Sequence, residues 1–135
     1  SYRTGLAVAS SLKPRYMIFR AMSANDGTPT QALMDAAWSR TLALIEHCRR
    51  ERVVPVVVTY PPIDSYDATA WALVVAQNAR VMALRDYIIV VEATTALLNP
   101  AGSPRTLPIY DGGDGTHKSD AAYVVIAQAI AAALS

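Results

Sequence analysis

The run Val53-Val54-Pro55-Val56-Val57-Val58-Thr59 restricts the folding of this chain more than any other stretch. It is apolar and mostly β-branched, with no alternation of polar and apolar residues. A strand with one face in water alternates; a strand covered on both faces does not. The run therefore predicts a strand inside a layered structure, with Pro55 near its beginning, where a missing N–H is tolerated. Two shorter runs share this character, Tyr16-Met17-Ile18-Phe19 and Ile88-Ile89-Val90-Val91-Glu92.

Helical patterns separate these runs. Between Thr30 and Arg50, the residues Met34, Trp38, Thr41, Ile45 and Cys48 recur at helical spacing and define one face. Thr28 or Thr30 can cap that helix, and Pro29 suits its first turn. Between Ala68 and Arg85, Trp71, Val74, Val75, Asn78, Val81 and Met82 share a face. Ser119 opens a last helix with Ala122, Val125, Ile126, Ala129 and Ala133 inward. Leu6 to Leu12 reads as the end of an Ala-rich helix that Pro14 closes.

Buried-type strands alternating with helices predict an α/β fold: three layers, α/β/α, around a parallel sheet. At 135 residues the chain is one domain, 1–135. Three strands make a small sheet, and the opening helix needs a strand before it. One or two N-terminal strands are therefore expected to be missing from this chain.

Composition removes several functional classes. The chain is 53% hydrophobic and 17% charged, which is globular. A net charge of +1 gives no field directed at nucleic acid, so no nucleic-acid partner is expected. The cluster Arg49, Arg50 and Arg52 suits a helix C-terminus. No apolar run reaches the length of a membrane span, and no signal peptide is apparent. A single cysteine, Cys48, cannot form an internal disulfide. His47 and Cys48 are adjacent on a helix and point apart, so they lack metal-ligand spacing. Trp38 and Trp71 lie on apolar helix faces and read as core. Asp111 and Asp114 suggest calcium, but an EF-hand loop would need Glu where Ala122 stands. With no nucleotide loop or redox pair either, no cofactor and no metal are expected.

The chemistry concentrates where parallel strands end, since ligands of such sheets bind beyond the carboxyl ends. Three loops lie there. Asp111-Gly112-Gly113-Asp114-Gly115-Thr116-His117-Lys118-Ser119 holds one of the two histidines, with Asp114 three residues earlier. A bent loop can bring that carboxylate to the imidazole, orient the ring and stabilise its protonated form. The same residues also read as a Gly-rich turn before a Ser cap. Asn25, after the first strand, can offer a side-chain N–H to an oxyanion or shape an Asx-turn. Asp26 reads as structural, holding backbone N–H groups at the helix start. Tyr60-Pro61-Pro62 makes a stiff turn after the second strand. Asp64, Tyr66 and Asp67, just beyond it, read as a solvated loop.

Together these blocks resemble the SGNH (GDSL-type) hydrolase family. Ser23-Ala24-Asn25-Asp26 resembles the family's Gly-x-Asn-Asp block, and Asp114-Gly115-Thr116-His117 its C-terminal Asp-x-x-His block. Val56-Val57-Val58-Thr59-Tyr60-Pro61-Pro62 is similar to the strand and Pro-rich turn between them. The resemblance covers essentially the whole chain and implies a flavodoxin-like fold with a serine esterase or deacetylase activity. It implies catalytic roles for His117, Asp114 and Asn25, and substrate contacts at Tyr60, Pro61 and Pro62. The implied substrates are small carboxylic esters, acetylated carbohydrates among them.

Two departures stand out. Ser23 replaces the family's Gly, and the Gly-Asp-Ser block that carries the nucleophile has no counterpart. No other serine fits: Ser10 and Ser11 fall in the helix-like segment, Ser23 in the Asn block, and Ser119 after the histidine. The chain also starts at Ser1 without Met. It is expected to be the C-terminal portion of a longer hydrolase, partnered by an N-terminal companion chain that carries the nucleophilic serine. A non-catalytic SGNH-like or flavodoxin-like binding module is the alternative.

Overall fold

The computed structural model describes residues 12–135. The helix expected over Leu6 to Leu12 lies outside them, apart from Leu12, which is exposed in a turn.

Val56, Val57 and Val58 are each at most 3% exposed, and successive side chains leave the strand on opposite faces. Val57 packs with Ala21, Ile45 and Val81. Val56 and Val58 pack with Val91, Leu97, Ala122 and Ile126. The strand is thus covered on both faces, as its unbroken apolar run requires. It is β2 (Val54–Val58), the middle of a parallel sheet whose other strands are β1 (Tyr16–Arg20) and β3 (Ile89–Val91). Ile18 lies opposite Val56, and Val57 opposite Val90. Pro55 is the second residue of β2, and the ladder opens with the Val54 N–H on the Arg15 carbonyl, 2.9 Å.

Three helices complete the layers: α1 (Gln31–Arg50), α2 (Ala68–Met82) and α3 (Asp120–Leu134). Residues of α1 and α2 cover the Val57 face and residues of α3 the Val56–Val58 face. Each helix starts on a capping side chain. Thr30 accepts the Leu33 N–H, Asp67 the Ala70 N–H, and Ser119 the Ala122 N–H. Asp67, exposed as expected, is also the cap of α2.

The end of α1 departs from the usual choice of residue. The Val53 N–H reaches the Cys48 carbonyl at 2.8 Å, and the Arg52 N–H reaches that of Arg49 at 3.2 Å. These are the paired bonds of a Schellman cap, which places its penultimate residue in the left-handed region. That residue is Arg52, at φ 57°. Glycine is relaxed there; a residue with a Cβ gives up about 1 kcal/mol.

Several expectations need correction. Val75 is 50% exposed, and the stripe that α2 buries is Ala70, Val74, Gln77 and Val81. Gln77 was hidden by its polarity: its amide donates to the Ala21 and Met34 carbonyls, both at 3.1 Å. Ala133 is exposed, and Leu134 packs on the core in its place. Strand β1 is half-buried and not covered on both faces, with Ile18 47% exposed, because it lies at the edge of the sheet. Trp38 and Trp71 are half-buried, each under a guanidinium, Arg80 and Arg105 respectively.

Candidate active site

Parallel strands bring their three C-terminal loops to one end, and there the 111–119 loop closes on itself. The Gly112 N–H donates to the His117 carbonyl at 2.8 Å, and Asp111 accepts the N–H groups of Gly113 and Gly115. Within this turn Asp114 divides its carboxylate. Oδ1 accepts the backbone N–H groups of Thr116 (2.9 Å) and His117 (2.7 Å). Oδ2 lies 2.6 Å from His117 Nδ1. The imidazole first, then those two N–H groups, hold Asp114 well below the usual carboxylate range. An ionised carboxylate only accepts, so Nδ1 carries the proton. Nε2 is then the basic nitrogen of the neutral ring. The His117 side chain is 79% exposed.

The Pro-rich turn clamps this loop from the side. The N–H groups of Asp64 and Ser65 both donate to the Gly115 carbonyl (2.8 and 3.1 Å), and the Ser65 and Thr116 hydroxyls are 2.7 Å apart. Asp64 does not point into solvent: its carboxylate accepts the N–H groups of Arg105 and Thr106. Arg105 in turn donates to the Ile63 carbonyl at 2.8 Å. Tyr66 is half-buried, and its buried hydroxyl has no hydrogen-bond partner among the described residues. The start of the turn is fixed by Asn78 of α2. Its Oδ1 accepts the Tyr60 N–H (2.7 Å) and its Nδ2 donates to the Tyr60 carbonyl (3.0 Å).

A cleft of about 480 Å³ opens between these loops. His117, Asn25, Tyr60 and Pro61 line it together, and Asp114 stands behind His117. Pro62 does not line it: the ring is fully buried, and its carbonyl accepts the Thr106 hydroxyl. Asn25 is exposed in a short 3₁₀ turn (Ala24–Asp26) whose shape comes from neighbours: the Asn25 N–H on Ser23 Oγ, and the Ser23 N–H on Asp26. Asp26 thus braces its own turn and pairs with Arg40 of α1 at 3.6 Å. On the far side the cleft runs along the edge strand to Ile18, Tyr123, Ile126 and Ile130.

Lys118 was not foreseen. It is 8% exposed, lines the cleft next to His117 and donates to Thr106 Oγ1 at 3.1 Å. Burial lowers its pKa against the pull of Asp64, Asp111 and Asp114. A lysine in a polar loop reads as solvated, and nothing in the sequence marks this one as turned inward. Among the described residues no group of three metal-ligating side chains is gathered, and no helix is long and apolar enough to cross a membrane.

No protein-family model and no curated protein matches the chain. Solved structures do. A candidate acylhydrolase from Bacteroides fragilis is 20% identical at a TM-score of 0.75, over 91% of this chain and 62% of its own. A GDSL-like lipase from Bacteroides thetaiotaomicron is 18% identical at a TM-score of 0.76, over 91% of this chain and 63% of its own. The chain has the fold of the SGNH (GDSL-type) hydrolases. The OSK domain of Drosophila Oskar shares it, with a TM-score of 0.68 at 16% identity. The chain spans about three-fifths of the length of each of these structures.

Proposed function

We propose that the protein is a serine hydrolase of carboxylic esters, in which this chain supplies the base and an oxyanion donor. The observation that carries the reading is the His117–Asp114 pair, with its Nδ1–H on the carboxylate and its ring in the same cleft as Asn25. His117 Nε2 takes the proton of a serine hydroxyl as that oxygen attacks the ester carbonyl. It then returns the proton to the leaving alcohol. Asp114 keeps the ring in the useful tautomer and stabilises the imidazolium. The Asn25 amide donates to the oxyanion as charge develops on it. Tyr60 and Pro61 border the acyl or alcohol group, and the substrates are small carboxylic esters, acetylated carbohydrates among them.

The nucleophilic serine comes from an N-terminal companion chain seated along the outer edge of β1. Two facts support this placement. The solved structures of the same fold are longer than this chain, and the cleft continues past His117 along that edge to the exposed Ile18 and Tyr123. A second reading is a non-catalytic binding module. It is favoured by the likeness to the OSK domain, a structure named as a domain and not as an enzyme.

Fluorophosphonate labelling of the native protein, followed by denaturing mass spectrometry, tests the proposal. A second polypeptide carrying the probe mass is the expected result, with labelling abolished by His117→Ala. A native preparation that takes up no probe refutes the hydrolase and leaves the binding module.

A further inference from the structure

The opposite end of the sheet, where β2 and β3 begin, holds a second cleft of about 490 Å³. Three arginines line it, Arg49, Arg52 and Arg85, with one acidic residue, Asp86. Its remaining wall is apolar, built around Val54, Pro55 and Ile89, with Tyr87 beside them at 75% exposure. Arg49 is engaged with Glu46 of its own helix at 3.3 Å. Among the described residues no carboxylate lies within ion-pair distance of Arg52 or Arg85.

A basic helix end has an ordinary explanation, since cations suit the last turn of a helix. It covers Arg49. It reaches Arg52 as well, the residue after the cap of α1, but not Arg85, three residues past the end of α2. Arg52 also occupies the left-handed position of the Schellman cap, where glycine would be relaxed. Residues held in sparsely populated backbone regions gather at functional sites, and of the two here, Lys13 and Arg52, only Arg52 lines this cleft.

We infer that this cleft binds a small organic anion, a carboxylate or phosphate borne on an apolar or aromatic body. The anionic end lies between Arg52 and Arg85, which offer planar, bidentate donors. The body covers the apolar wall beside Tyr87. An inorganic anion would leave that wall wet, and a neutral apolar molecule would leave the guanidinium groups without a partner.

The test is an NMR titration of the protein, in its full natural chain, with phenyl phosphate. Arg52, Arg85, Tyr87 and Ile89 shift and His117 does not. Phenol and inorganic phosphate each bind at least about threefold more weakly, the scale of one half-exposed charge or contact. Arg52→Gly separates binding from folding: it raises the thermal midpoint by a few degrees, on the order expected for a domain of this size, yet weakens phenyl phosphate about threefold or more. Arg85→Ala weakens binding without that rise. Unchanged affinity in Arg52→Gly overturns the site, as does inorganic phosphate or phenol binding as tightly as phenyl phosphate. A lowered midpoint in Arg52→Gly overturns the argument from strain.

Discussion

Asp114→Asn isolates the step on which the proposed chemistry depends. The two carboxylate oxygens have separate tasks. Oδ1 takes both backbone N–H groups, of Thr116 and His117, and Oδ2 takes His117 Nδ1. Asparagine keeps an oxygen for the backbone pair and presents an N–H₂ to the ring. Nδ1 must then accept, so the ring proton moves to Nε2 and the general base is lost. The loop keeps its internal bonds and the side chain is more than half exposed, so stability changes little. The wrong tautomer lowers kcat by a factor on the order of 10⁴. Hydrolysis of 4-nitrophenyl acetate by the native protein reads the rate, and ¹⁵N shifts of the imidazole read the tautomer. A loss of less than tenfold, or a ring that keeps its proton on Nδ1, refutes the reasoning. The pH dependence follows the same bond. Because the carboxyl is held below its ordinary 3.8, its stabilising contacts are complete above that value and are lost only as pH falls further. The His117 ring signals should therefore show the Asp114 contact intact at pH 4, and its loss there would contradict the sign.

Asn25→Ala, at an exposed side chain, lowers kcat roughly a hundredfold with an unchanged thermal midpoint; an effect on KM alone would assign it to binding. Gly112→Ala places a Cβ 2.7 Å from the His117 carbonyl oxygen, which Gly112 itself holds by a hydrogen bond. The backbone must shift, so denaturant melts should show a loss of about 1–3 kcal/mol together with reduced turnover. Tyr66→Phe removes a buried hydroxyl with no partner among the described residues, and should leave stability unchanged or higher by up to about 1 kcal/mol. A loss of stability in that variant would show that the hydroxyl is engaged.

The layers were legible because they follow from burial. Val56 to Val58 could be unbroken and apolar only if both faces of β2 were covered, and Thr30 and Ser119 cap where their position before an apolar pattern suggested. Spacing and glycines left the 111–119 loop with two readings, an Asp114–His117 contact or a turn before a Ser cap, and the folded loop is both. What escaped the sequence was polar side chains turned inward. Gln77 sits on the buried stripe of α2, where a hydropathy pattern sees a gap. Lys118 and Asp64 look solvated because they lie in loops; only the folded loops show what they hold. Pro62 illustrates the converse. A motif gave it the same standing as Tyr60 and Pro61, but a turn of three residues cannot present every ring to the same side.

The Gly115 carbonyl receives two N–H groups from the Asp64–Ser65 segment, so the Pro-rich turn and the loop that carries the histidine are tied together. Variation in the 60–66 turn would therefore be pleiotropic. Under the proposed hydrolysis, a substitution selected to admit a bulkier ester would also shift His117. Laboratory evolution of this pocket should recover paired changes, one in the turn and a compensating one near Thr116, more often than single ones.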